Sequence, residues 1–203
     1  MGDSSFFDRF SGRLALRSLF ILGSCALFFL GSPGSSRAFS PPPGLGMSVF
    51  DSREMAPEIE APDLSGRAVH LSDYRGKVVL LNFWATWCDP CRKEIPSLLA
   101  LKEKLSGSPF VVVSVVMDRR IRHIAPFVRK YSISYPVMEG RKGRVDSRYY
   151  GLGLPQTYVI DRNGLLVGRV VGGRNWASPS SVSYFRALAA SGSEERSSRK
   201  EGR

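Results

Sequence analysis

The sequence predicts an α/β domain, with a central mixed sheet flanked by helices and a β-hairpin extension on its N-terminal side. Three observations carry that expectation. Residues 78–84 (Val-Val-Leu-Leu-Asn-Phe-Trp) and 110–117 (Phe-Val-Val-Val-Ser-Val-Val-Met) are apolar almost without alternation, as strands covered on both faces are. Stretches with helical spacing at 88–105, 121–131 and 180–190 alternate with the strand-like ones, the pattern of helices packed on a sheet. Residues 156–160 and 165–171 are joined by Asp161-Arg162-Asn163-Gly164, a tight-turn sequence, so an antiparallel pair makes the sheet mixed.

Taken from the N-terminus, the first element differs in kind from the rest. Arg9, Arg13 and Arg17 precede an uncharged apolar block at 18–30, and the next arginine is Arg37. Residues 1–38 therefore read as a secretion signal or a single membrane anchor. The arginines hold the N-terminus in the cytoplasm and place everything downstream in the periplasm or an equivalent extracytoplasmic space. Ser36-Arg37-Ala38 offers small residues for cleavage, whereas Leu14-Ala15-Leu16 lengthens the apolar span if Arg17 snorkels, giving membrane association through 14–31.

Residues 39–57, with Pro41-Pro42-Pro43-Gly44, are expected to be a flexible linker. The domain proper is expected over 58–190, opening with a hairpin arm and turn at 66–74. Residues 191–203 are charged and serine-rich, the composition of a disordered tail.

The chemistry is concentrated in Trp87-Cys88-Asp89-Pro90-Cys91, where the strand at 78–84 gives way to a helix. A cysteine at a helix N-terminus faces free backbone N–H groups and the positive end of the helix dipole, and both favour the thiolate. Cys88 is thus the candidate nucleophile. With two residues between the thiols, the next turn brings Cys91 close enough to attack a mixed disulfide at Cys88. Pro90 suits a first helical turn, where its missing N–H costs nothing.

A C-x-x-C can also be half of a zinc site. Here the only other cysteine is Cys25 and the only histidines are His70 and His123, so no second pair exists at ligand spacing and no metal site is expected. A structural disulfide without redox chemistry is the alternative the residues leave open. His70 and His123 are isolated and read as structural or exposed.

The chain of 203 residues carries a net charge of +11, with Arg119, Arg120, Arg122, Arg129, Lys130, Arg141, Lys142, Arg144 and Arg148 in one region. An exported location argues against nucleic acid as the partner. A solvated basic face, or one that meets anionic lipid or an acidic partner, fits better.

Residues 77–96, Lys-Val-Val-Leu-Leu-Asn-Phe-Trp-Ala-Thr-Trp-Cys-Asp-Pro-Cys-Arg-Lys-Glu-Ile-Pro, resemble the active-site segment of extracytoplasmic thioredoxin-fold proteins of the TlpA/ResA type. Residues 150–164, centred on Leu154-Pro155-Gln156-Thr157, are similar to that family's cis-proline strand. The resemblance covers about 61–190 and implies a thioredoxin fold with a thiol:disulfide oxidoreductase activity that needs no cofactor beyond a Cys88–Cys91 redox disulfide.

It further implies a cis peptide before Pro155, with Trp87, Leu154 and Pro155 meeting the substrate chain in a strand-like contact. Pro96 would kink the active-site helix. Cytoplasmic thioredoxins carry a buried aspartate on the central strand; the corresponding residue here is Asn82, which cannot titrate, and Glu94, three residues after Cys91, takes the place of the acid that ResA-like reductases use. Partial burial would raise its pKa so that it exchanges the Cys91 proton. Asp89 and Pro90 would modulate the site, the charge of Asp89 opposing the Cys88 thiolate and making the pair more reducing. Gln156 stands where the family often has threonine.

The activity so implied is reduction of disulfides in exported proteins, apocytochrome c before haem attachment being the leading substrate class, with electrons from a membrane-embedded thiol donor. The rivals are a disulfide oxidant or isomerase and a copper-handling assembly factor for a respiratory oxidase, the latter ordinarily marked by a wider cysteine spacing and a partner histidine. The Pro/Thr/Arg surround of a peroxidatic cysteine is not recognisable around Cys88.

Overall fold

The computed structural model describes residues 40–191. The expected signal or anchor at 1–38, and all but the first residue of the expected tail at 191–203, lie outside the described residues. In chain order the elements are β1 (Ser48–Val49), β2 (Ile59–Pro62), β3 (Ala68–His70), β4 (Val78–Trp84), α1 (Asp89–Lys104), β5 (Phe110–Val116), α2 (Ile124–Lys130), β6 (Val137–Glu139), β7 (Arg144–Val145), β8 (Gln156–Ile160), β9 (Leu166–Val171) and α3 (Pro179–Ser191).

Among these residues, six strands form the central sheet in the order β1-β9-β8-β4-β5-β6. The strands β4, β5 and β6 are parallel, while β8, β9 and β1 join antiparallel, so the sheet is mixed as expected. The hairpin extension is β2 paired with β3, turned at Asp63, whose carboxylate accepts from the Ser65 and Arg67 backbone N–H groups. A third strand, β7, adds to its other side. No described helix is long and apolar enough to cross a membrane.

The strand β4, apolar but for Asn82, is buried along its whole length because both of its faces are covered. Val78, Leu80 and Trp84 face one core with Ile95, Leu98 and Leu101 of α1 and Val182 and Phe185 of α3. Val79, Leu81 and Phe83 face the other, with Ile59, Ala61 and Leu71 from the hairpin side. Strand periodicity therefore assigns Asn82 to the α1 side, together with its pairing partner Thr157.

Three departures from the sequence expectations have local causes. The expected linker at 39–57 takes up defined structure from Pro43 onward: Pro43–Leu45 form a 3-10 turn, Leu45 is 2% exposed, and β1 pairs with the edge of β9. An apolar side chain among prolines was enough to dock a segment whose composition reads as free. The helix expected at 121–131 begins as a 3-10 turn, Ile121–His123, and becomes α-helical only at Ile124. The strands β6 and β7 are three and two residues long, too short for any hydrophobic period to reveal. The helix α1 runs through Pro96 without interruption.

The β8–β9 turn is closed by the Asp161 carboxylate, which accepts from the N–H groups of Asn163 and Leu165, with Gly164 at φ +83°. A Cβ at Gly164 would land on the Arg75 guanidinium, which donates to the Asn163 carbonyl at 2.8 Å. Gly164→Ala is expected to lower the unfolding free energy by about 1–3 kcal/mol, left-handed strain plus that hydrogen bond, as measured by urea denaturation.

Candidate functional site

The parallel strands β4, β5 and β6 end at one edge of the sheet, where the antiparallel β8 begins, and the two cysteines sit there. After Trp84 the chain leaves the sheet and is held by its neighbour: the Met117 N–H donates to the Trp84 carbonyl at 2.9 Å, and the Asp118 carboxylate accepts from the Thr86 N–H at 2.9 Å and from its hydroxyl. This brings Cys88 to the N-cap of α1, with Asp89 and Pro90 in the first turn. The Cys91 N–H donates to Cys88 Sγ at 3.3 Å, a direct instance of a helix N-terminus solvating the first sulfur.

Cys88 and Cys91 form a disulfide with their Cα atoms 5.3 Å apart. Cys88 is 5% exposed and Cys91 1%, so the first cysteine is the more accessible residue but both are well enclosed. Trp87, 68% exposed, stands beside them. Asp89 forms an ion pair with Arg92, one turn on. The charge expected to bear on Cys88 is thus partly neutralised by Arg92, whose i,i+3 spacing from Asp89 is the signal for the pair in the sequence.

Glu94 is 3% exposed, and α1 directs it at the face of β4 that carries Asn82. Its Oε1 accepts from Asn82 Nδ2 at 2.8 Å; its Oε2 accepts from Trp176 Nε1 at 2.9 Å and from the Arg174 N–H at 3.3 Å. Asn82 Nδ2 also donates to Thr157 Oγ1 at 2.9 Å. Burial raises the Glu94 pKa above the ordinary carboxylate range, and the hydrogen bonds from Trp176, Asn82 and the Arg174 backbone oppose that rise without cancelling it. The buried phenol of Tyr135 is raised as well, first by burial and then by the charge of Glu94.

The loop after β9 is the piece that completes this arrangement. Ser97 Oγ donates to the Arg174 carbonyl at 3.1 Å and accepts from the Trp176 N–H at 3.2 Å, while Arg174 Nε donates to the Leu45 carbonyl at 3.3 Å. Trp176 and Arg174 lie 82 and 80 residues from Glu94 along the chain, and no local pattern announces them. In the sequence Asn82 shows only that it cannot titrate. In the fold it is the donor that fixes the acid.

The Leu154–Pro155 peptide is cis. Pro155 is buried and its carbonyl accepts from the Gly172 N–H at 2.9 Å. The backbone N–H and carbonyl of half-buried Leu154 have no partner among the described residues. Because Gln156 pairs with Phe83, this unpaired backbone lies at the same edge as the cysteines. Gln156 itself is buried and donates to the Tyr149 carbonyl at 3.2 Å, so it braces the loop from within.

Comparison with known proteins agrees with this geometry. The model of the AhpC/TSA family matches residues 53–169. The thiol-disulfide oxidoreductase ResA of Bacillus thuringiensis subsp. konkukian is 32% identical over 117 residues, 58% of this chain and 68% of that protein. A crystal structure from Chlorobium tepidum assigned to the thiol:disulfide interchange protein DsbE superposes with a TM-score of 0.61 at 31% identity, covering 70% of this chain and 99% of that one. The thioredoxin domain of a thiol-disulfide oxidoreductase from Bacteroides vulgatus gives 0.59 at 27% identity, covering 68% and 99%. With a disulfide at the helix start, a cis-proline strand beside it and these relatives, the chain belongs to the AhpC/TSA family and is a thioredoxin-fold thiol-disulfide oxidoreductase of the ResA-like kind.

Proposed function

We propose that this oxidoreductase works in the reducing direction on exported proteins in an extracytoplasmic space, apocytochrome c before haem attachment being the leading substrate class. The observation that carries the reading is Glu94, a buried carboxyl one turn beyond Cys91 and held by three donors. An acid there serves the proton of a resolving thiol that has no access to water.

The steps follow from the positions of the groups. Reduced Cys88 attacks a substrate disulfide as the thiolate; that S–S bond breaks, a mixed disulfide forms, and the departing substrate sulfur takes a proton. Cys91 then passes its proton to the Glu94 carboxylate and attacks Cys88 Sγ. The second substrate sulfur leaves and is protonated in turn. Two electrons have moved to the substrate, and Cys88 and Cys91 are again a disulfide. A dithiol donor, which we place in the membrane, returns two electrons and two protons.

Enclosure of both sulfurs and the nearby carboxyl of Glu94 oppose a thiolate and so support a reducing pair, against the N-terminus of α1, which favours it. The unpaired backbone of Leu154, with Trp87 and Pro155, supports capture of an extended substrate segment. The disulfide itself is the only redox group the mechanism requires. The arginine-flanked apolar block at 18–30 supports export.

Equilibration of the Cys88–Cys91 pair with glutathione and dithiothreitol buffers tests the direction. The expected potential is nearer that of thioredoxin, roughly −270 mV, than that of a strong oxidant at about −120 mV. A value on the oxidant side would assign the protein to disulfide formation instead.

A further inference from the structure

The basic residues that cluster in sequence at 119–148 separate in the fold into three groups. Lys142, Arg144 and Arg148 are neutralised by Glu139, Glu60 and Asp146. Arg129 and Lys130 end α2, the crossover helix that returns the chain to the start of β6, and so lie at the sheet edge away from the cysteines. Arg119, Arg120, Arg122 and Arg141 remain, all exposed.

Topology puts these four at the end of the sheet that carries the disulfide. Arg119, Arg120 and Arg122 follow the C-terminal end of β5, and Arg141 follows that of β6, both strands parallel to the β4 that delivers Cys88. The hydrogen bonds of Asp118 to Thr86 tie the first loop to the residues just before Trp87 and Cys88. Arg141 Nε donates to the Met117 carbonyl at 3.3 Å, drawing the second loop to the first.

No carboxylate among the described residues forms an ion pair with any of the four. The local acids are otherwise engaged: Asp118 with Thr86, Asp89 with Arg92 and Glu139 with Lys142. Arg122 Nε donates to His123 Nε2, which adds no negative charge. Four guanidinium groups without an ion pair, against the one carboxylate of Asp118 that only the neutral Thr86 binds, leave the rim with a net positive field that an acidic segment of another molecule complements. The cis-proline loop occupies the β8 side of the cysteines and the rim the β5 and β6 side.

We propose that this rim docks an acidic segment flanking the cysteines of the substrate protein, with the exposed Trp87 as the apolar anchor between rim and disulfide. The proposal rests on the oxidoreductase reading above and gives its substrate a charge. Docking precedes the exchange and leaves its balance unchanged: two electrons pass from the Cys88/Cys91 dithiol to the substrate disulfide, which takes up two protons.

The test uses pre-reduced protein and three synthetic peptides, each closed by one disulfide and flanked by acidic, neutral or basic residues, with hydroxyethyl disulfide as an uncharged small probe. The expected second-order rate is roughly tenfold higher for the acidic than for the neutral peptide at low ionic strength, with the basic one slowest. The preference should collapse between about 0.01 M and about 1 M ionic strength, as the Debye length falls from roughly 30 to 3 Å. An Arg119→Glu, Arg120→Glu double variant should invert the order of acidic and basic peptides. Equal rates for all three peptides, or a preference untouched by salt, would overturn the proposal while leaving the redox reading intact. Failure to reduce even hydroxyethyl disulfide would instead remove the redox reading. Retention on phosphatidylglycerol vesicles that depends on the rim, with no discrimination among peptides, would reassign it to a lipid surface.

Discussion

A Cys91→Ala variant is expected to stop at a mixed disulfide between Cys88 and its substrate, with essentially all multiple turnover lost. Cys88 is the more exposed of the two cysteines and its Sγ receives the Cys91 N–H, which an alanine at that position still supplies, so the nucleophile survives the substitution. What disappears is the only other thiol among the described residues, the one placed to attack the mixed disulfide from the protein side. Non-reducing electrophoresis and mass spectrometry of the cell envelope would read the adducts. Cys88→Ser in the same background should abolish them, and adducts trapped by Cys88→Ser alone but not by Cys91→Ala would mean that Cys91 is the nucleophile. Exported C-x-x-C-H cytochrome precursors among the captured proteins would support the haem-pathway substrate, whereas a copper-site subunit would point to oxidase assembly.

Glu94→Gln is the second large effect. Loss of a positioned proton acceptor is expected to slow disulfide exchange by about 10²-fold near neutral pH and to remove one inflection, above the ordinary carboxylate range, from the pH dependence of the rate. The same substitution has a signature in stability. Because the folded pKa of Glu94 is raised, the folded state holds its proton longer than the unfolded chain does. The stability it contributes is present in full below the unfolded value near 4.5 and is lost as pH rises through the folded one. Each unit of that rise is worth about 1.4 kcal/mol. Urea denaturation at successive pH values should therefore show the variant gaining on wild type as pH rises across this window. A pH-independent difference with an unchanged rate profile would return Glu94 to a structural role.

Most of the fold was legible because its signals are short-range. The strands β4 and β5 announce themselves by being apolar but for Asn82 and Ser114, the β8–β9 turn by Asp161 and Gly164, and the helix start at Cys88 by the proline two residues on. The expected cis peptide at Pro155 came from family resemblance and not from any local rule. The segments the sequence does not reveal, β1 and β6 among them, are those whose order depends on a partner strand and not on their own composition.

By itself the sequence determined the chemistry available at the helix start: two thiols one turn apart at the positive end of a dipole, with an acid three residues later on the same helix. Tertiary structure alone decided what that acid can do. A glutamate three residues past a cysteine faces water or the core according to what packs on the helix, and here β4 supplies Asn82 while the loop after β9 supplies Arg174 and Trp176. The same holds for the basic residues, whose charges are cancelled or left free by partners as far away as Glu60. Helix dipoles and thiol spacing are properties of a few adjacent residues, whereas burial and ion pairing depend on groups brought together only when the chain has folded.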